Sequence, residues 1–229
     1  MGVFCPREEV CGKNLRCGAC RRCCDSVTVT VEVKPPIADG FTIVDGDLYC
    51  YQNNYMRTDC TIGLWTFGPD GRYSCGDPEL DQLIRQLIRT ETDDSMTPME
   101  RFNKLYHWVM SNFKYLRWDY VTKGSEGWEP AWAKAALETC RGNCYSYAAA
   151  VTMIGRHLGF EAYNQSGNCV THPGNNPMHG WTEVILDGVT YICDAEMEGV
   201  FSAHRKLGWD FFMKEKDTTP TRYILPGDT

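Results

Sequence analysis

The sequence predicts an α+β fold, with helices packed on an antiparallel sheet and a small β-hairpin and cysteine-rich region ahead of them. Three observations carry this. Between residues 77 and 113 two segments show apolar residues at helical spacing behind recognisable capping residues. Tyr147, Val151, Ile154 and Leu158 recur at the spacing of one buried helical face, and Gly159 supplies the stop. His179 to Asp194 reads as two apolar strands joined by the two-residue turn Asp187-Gly188.

The 229 residues, 43% hydrophobic and 12% aromatic, are enough for one sizeable core and an appendage. Composition and spacing divide them into a cysteine-rich segment and strand (1–34), an aromatic hairpin region (35–76) and a larger domain (77–229). The formal charge of −7 argues against a nucleic-acid partner. No apolar run has the length of a membrane span. The opening Met-Gly-Val-Phe-Cys-Pro-Arg lacks the basic start and apolar core of a signal peptide, so either the protein is intracellular or the numbering begins after a removed leader.

Thirteen cysteines favour an extracellular or cell-surface setting. Cys5, Cys11, Cys17, Cys20, Cys23 and Cys24 offer a small disulfide framework whose connectivity spacing alone does not rank. A zinc site resting on Cys17-Gly-Ala-Cys20 is the rival, without a well-separated second pair. The odd total leaves at least one thiol free, and Cys144 is the choice for it.

Ser26 to Val33 alternates valine with polar residues, as a half-buried strand does, and Lys34-Pro35-Pro36 ends it. Val44 to Tyr49 and Gly68 to Tyr73 form a faint repeat of strand, Asp-Gly turn and strand, about 25 residues apart, with Tyr49, Tyr51, Trp65, Phe67 and Tyr73 near the turns. Between about Gly40 and Gly76 this pattern resembles the aromatic hairpin repeats of bacterial cell-wall-binding modules, which implies a cell-wall glycan as partner. The alternative is that these rings pack onto the larger domain.

Asp77-Pro78 opens a helix with a capping carboxylate and a first-turn proline, and Leu80, Leu83, Ile84, Leu87 and Ile88 give it an apolar stripe. Thr92 to Ser95 ends it. Thr97-Pro98-Met99-Glu100 is a capping box, followed by Phe102, Leu105, Tyr106, Val109 and Phe113 along one side. His107 lies off that stripe and reads as solvated. Residues 115–139 are less regular, with a Gly-Ser-Glu-Gly loop at 124–127 and then Trp128, Trp132 and an alanine-rich helical turn.

Gly142-Asn143-Cys144 delivers a cysteine to a helix N-terminus, where free amides and the helix dipole favour the thiolate. Cys140 lies before the helix and is the weaker nucleophile. Ala148-Ala149-Ala150 lets this helix approach a sheet closely, and His157 in its last turn is favoured there as a cation. Asn164 to Met178, rich in Gly, Asn, Pro and Ser, is expected to form a mobile flap.

If Leu186 faces Val189 across the Asp187-Gly188 turn, Trp181 faces Asp194, and His179 becomes a diagonal neighbour of Asp194 on one surface. Cys144, His179 and Asp194 then make a nucleophile, a base and an orienting carboxylate. His172 is the rival base, without a strand that brings Asp194 alongside. Trp181 and Glu183 share the His179 face, one as a wall of the cleft, the other as a carboxylate supporting the site or satisfied within the core.

Gly142-Asn143-Cys144, the small-residue helix ending in His157-Leu158-Gly159-Phe160, His179-Gly180-Trp181 and Asp194 together resemble the transglutaminase-like superfamily, from about Thr97 to the C-terminus. The resemblance implies a papain-like transglutaminase core and cysteine-dependent acyl transfer on a peptide or protein substrate through a thioester. Crosslinking enzymes, peptidases, amidases and inactive members share this core. It also implies an oxyanion donor ahead of the cysteine, for which the Trp132 indole N–H is a candidate beside the Cys144 amide. Neither a metal nor a nucleotide cofactor is expected, since the sequence has no calcium loop and no phosphate-cradling glycine motif. A non-catalytic surface-binding module, acting through the hairpin aromatics, is the reading from a different class.

Overall fold

The computed structural model describes residues 39–117, 125–171 and 175–227. The six N-terminal cysteines, the strand expected over 26–33 and His172 lie outside the described residues.

The hairpin region is richer than the two hairpins its repeat predicts. β1 (Gly40–Val44), β2 (Asp47–Gln52) and β3 (Tyr55–Met56) form one antiparallel meander, and β4 (Cys60–Ile62), β5 (Trp65–Phe67) and β6 (Tyr73–Ser74) a second. Asp45 and Gly46 both take positive φ, the geometry of a tight turn whose twist matches its strands. Leu48, Cys50, Trp65, Phe67 and Tyr73 form a small core of their own. Trp65, Phe67 and Tyr73 are spent on packing while Tyr49 and Tyr51 stay half-buried, and nothing supports the expected cell-wall glycan.

This region is fastened to the helices by specific bonds. The Trp65 indole N–H donates to the Arg156 carbonyl at 2.9 Å, and buried Asp47 pairs with Arg85. α1 (Pro78–Glu91) starts where Asp77 accepts from the Glu79 and Leu80 amides, and α2 (Pro98–Asn112) starts with the reciprocal Thr97–Glu100 box. Both bury the stripes read from the sequence, apart from half-buried Leu83 on α1, while His107 is exposed.

β7 (Lys114–Tyr115) runs parallel to β8 (Arg141–Gly142), with α3 (Glu129–Thr139) between them in sequence. Cys140 is the left-handed cap of α3. α4 (Cys144–His157) is the central element, with almost every residue buried. A helix apolar on all sides belongs inside a protein, and α4 is enclosed by α1, α2, α3 and the main sheet.

That sheet has the order β12-β11-β10-β9-β13 and is antiparallel throughout: β9 (Glu161–Cys169), β10 (Met178–Leu186), β11 (Val189–Cys193), β12 (Lys214–Glu215) and β13 (Tyr223–Ile224). A π-helical turn (Met197–Ser202) and the short α5 (Ala203–Arg205) connect β11 to β12. Val184 and Cys193 join the main core with the helices, and Trp181, Ile192, Phe211 and Tyr223 form a second core.

The expected flap is corrected in part. Residues 164–169 continue β9, with Gln165 opposite Trp181 and Gly167 opposite His179. A Cβ on Gly167 would lie 2.3 Å from the Ile224 carbonyl oxygen and 2.8 Å from the Trp181 ring. Its glycine serves a close approach of β13 and Trp181, a need that composition alone does not distinguish from mobility.

His157 is held internally, its Nε2 donating to Asp81 Oδ1 at 3.0 Å while Nδ1 lies 2.7 Å from the Met153 carbonyl oxygen. Ser74 and the Cys75 amide also donate to Asp81, so one carboxylate ties β6, α1 and α4 together. Burial alone would raise the Asp81 pKa, but the donors at His157, Cys75 and Ser74 outweigh it and bring it down to about 2. A depressed carboxylate contributes its stability above its unfolded value of about 3.9 and loses it as pH falls toward the folded one. Asp81→Asn is expected to lower unfolding stability by about 3 kcal/mol in urea titrations at neutral pH, and to remove the part of acid destabilisation that falls between about pH 4 and pH 2.

Candidate active site

Cys144 is the first residue of α4. Asn143 caps that helix, its side-chain oxygen accepting from the Ser146 amide at 3.3 Å. Gly142 precedes it because a Cβ there would sit 2.1 Å from that of Ser146. The thiol is therefore fixed at the amide end of a buried helix.

β10 supplies the next group. Gly180 packs on the first turn of α4, where a Cβ would lie 2.5 Å from the Tyr145 ring and 3.1 Å from the Tyr145 Cα. The Thr182 hydroxyl donates to the Ala148 carbonyl at 2.9 Å and lies 2.8 Å from the Thr152 hydroxyl. These contacts set strand against helix in one register and bring His179 close enough to Cys144 for the sulfur to act on its ionisation.

Across the Asp187-Gly188 turn Leu186 does face Val189, and the pairing continues to Thr182 opposite Cys193. Asp194 follows directly. His179 Nε2 donates to Asp194 Oδ2 at 2.6 Å. The Tyr223 hydroxyl donates to the same oxygen at 2.8 Å, and the Met197 amide to Oδ1 at 3.0 Å. Cys144, His179 and Asp194 are 5, 4 and 3% exposed.

With Nε2 committed to Asp194, Nδ1 is the ring nitrogen free to exchange a proton. Burial alone would push the His179 pKa down. The Asp194 carboxylate, followed by the Cys169 and Cys144 sulfurs, holds the imidazolium, and the net direction is well above the ordinary histidine value.

The other predicted residues fall in distinct places. Trp132 packs with Trp128 and Tyr145 beside Cys144, at ring distances of 5.9 and 6.0 Å. Trp181 is wholly buried and stacks on His179 with 12° between the rings, so it backs the imidazole without offering a surface. Glu183 is satisfied by the Trp181 indole, Gln165 and Lys216.

Two neighbours were given no role by the sequence. Tyr223 follows Asp194 by 29 residues on an edge strand, and nothing local to it signals a carboxylate partner. Glu196 lies two residues beyond Asp194, and its Oε2 is 4.0 Å from His179 Nδ1. The register read from the sequence already sets Glu196 opposite His179, and what it lacked was a reason to give that carboxylate a function.

Among the described residues, two sets of side chains bring donor atoms close enough to share a cation: Cys75, Asp81 and His157, and His179, Asp194 and Glu196. In each set the histidine already donates to the aspartate. The seven described cysteines are all free thiols. Burial pushes Cys75 and Cys193 up to about 12 and Cys169 up to about 11, away from thiolate chemistry.

No curated protein matches the chain. Among solved structures, a candidate cysteine protease from Cytophaga hutchinsonii aligns with a TM-score of 0.37 and 18% identity, over 51% of this chain. The chain covers 37% of that protein's length. The family model described as the transglutaminase-like superfamily matches residues 81–193, a segment that holds Cys144 and His179 and stops one residue short of Asp194. Residues 81–193 are thus a segment of the transglutaminase-like superfamily type.

Proposed function

We propose that the protein carries out cysteine-dependent acyl transfer on peptide or protein carboxamides, with Cys144 as nucleophile, His179 as proton shuttle and Asp194 as the group that orients the histidine. The observation that carries this reading is the 2.6 Å bond from His179 Nε2 to a carboxylate that is itself held by Tyr223 and the Met197 amide. It fixes the tautomer and leaves Nδ1 for the thiol.

In the proposed sequence the Cys144 thiolate adds to the carbonyl carbon. The developing oxyanion is met by the Cys144 amide, with the Trp132 indole as the candidate second donor. His179 gives its proton to the leaving nitrogen, the C–N bond breaks and a thioester remains. A second nucleophile, deprotonated by His179, then adds to the thioester and the thiolate leaves. When that nucleophile is a primary amine the product is a new amide, and when it is water the reaction is hydrolysis, as in a peptidase or amidase. The packing of Trp65, Phe67 and Tyr73 into their own core weighs against a purely glycan-binding role.

Incubation with a glutamine-containing peptide library and a labelled primary amine separates the outcomes. Label in the peptides supports transfer, shortened or deamidated peptides support hydrolysis, and neither product removes the reading. Cys144→Ala is expected to lower whichever rate is found by at least about 10³-fold, and Asp194→Asn by about 10²- to 10⁴-fold. In ¹⁵N-histidine NMR titrations, His179 is expected to stay protonated well past neutrality. Asp194→Asn leaves burial dominant, so the His179 midpoint is expected to fall below about 6.5. An unchanged midpoint would mean that Asp194 is not the group sustaining the imidazolium.

A further inference from the structure

Glu196 and Tyr147 take no part in the proposed sequence, yet Glu196 lies beside the His179 ring and Tyr147 lies near Glu196 on the helix that carries Cys144. Glu196 follows the triad carboxylate at the start of the π-helical turn and is 9% exposed. Its Oε2 lies 4.0 Å from His179 Nδ1, the ring nitrogen that is not committed to Asp194. Among the described residues its carboxylate accepts no hydrogen bond. Burial pushes it up to about 7, a shift that His179 opposes and Asp194 reinforces.

Tyr147, one helical turn beyond Cys144 on α4, is 1% exposed, and its hydroxyl has no hydrogen-bond partner among the described residues. The Glu196 carboxylate is near enough to raise the Tyr147 pKa, after the effect of burial itself. A buried hydroxyl without a partner is costly, and so is a buried carboxylate without a hydrogen bond. Together they offer an acceptor-rich corner that an N–H-bearing cation would satisfy. Asp194 already has three donors and is not available for this.

We infer that Glu196 and the Tyr147 hydroxyl form a subsite for the amino group of a primary-amine substrate, placed beside His179 Nδ1. This rests on the proposed acyl-transfer reading and names its second substrate by chemistry: an ammonium on a flexible chain, as in a lysine side chain or a diamine. The bound ammonium gives one proton to Glu196, and the neutral amine adds to the thioester carbon. A second proton passes to His179 as the C–N bond forms and the C–S bond breaks. The thiolate leaves beside an imidazolium, and Glu196 returns its proton to solvent.

The test uses the folded full chain and small methanethiosulfonate reagents that differ only in charge: 2-aminoethyl, methyl and 2-sulfonatoethyl. Modification is read by mass on the peptide carrying Cys144, and each rate is divided by that of the same reagent with free cysteine. A cation held near Glu196 is expected to give an aminoethyl-to-sulfonatoethyl ratio of about tenfold or more. Glu196→Gln is expected to bring that ratio close to one, and Tyr147→Phe to reduce it about threefold. A purely structural role for Glu196 would change all three rates together and leave the ratio intact, which overturns the inference. So does a ratio near one in the unmodified protein. A methyl-reagent rate at Cys144 no faster than free cysteine counts against the nucleophile itself, and the charge ratio still decides the role of Glu196.

Discussion

The close approach of the first turns of α4 to β10 is the constraint from which the rest follows. A strand and a helix normally stand apart by the thickness of their side chains. Here Gly180 contributes none, and the alanines after Tyr147 contribute little. The Thr182 hydroxyl then bonds the α4 backbone, which locks the register as well as the separation. Given that contact, residue 144 on the helix and residue 179 on the strand are neighbours by geometry. A larger residue at 180 would separate them without touching either.

Around this contact the site is built by layers of support. Asp194 orients His179, and Tyr223 and the Met197 amide orient Asp194. Trp181 lies flat behind the imidazole, with Tyr223 against it at 4.8 Å. Both Asp194 oxygens are held by these donors, which fixes the carboxylate that Nε2 meets and favours a proton on that nitrogen. The second core, Trp181, Ile192, Phe211 and Tyr223, thus backs the sheet that carries His179 as much as it is a source of stability.

Much of this was legible in the sequence because the signals are local. The Asp-Gly turn fixes a register, and the register places Asp194 diagonal to His179. The cap at Asn143 and the helical spacing after it place Cys144 on the first turn. What was not legible depends on distant pairing. β13 meets β9 through only Tyr223 and Ile224, too short a run to show periodicity. The Gly and Asn content of residues 164–169 suggested mobility, whereas Gly167 is small because β13 and Trp181 come so near. His157 reads as a helix-end cation, and its partner Asp81 is 76 residues earlier in the chain.

The hydroxyl of Tyr223 has a consequence for the order in which the protein is made. Synthesis runs from the N-terminus, so the thiol helix and the histidine strand leave the ribosome before residue 223 does. Until β13 closes against β9, the aspartate lacks one of its three donors and the imidazole lacks part of its backing. The histidine and its aspartate therefore reach their final geometry only after the strand that secures them has emerged.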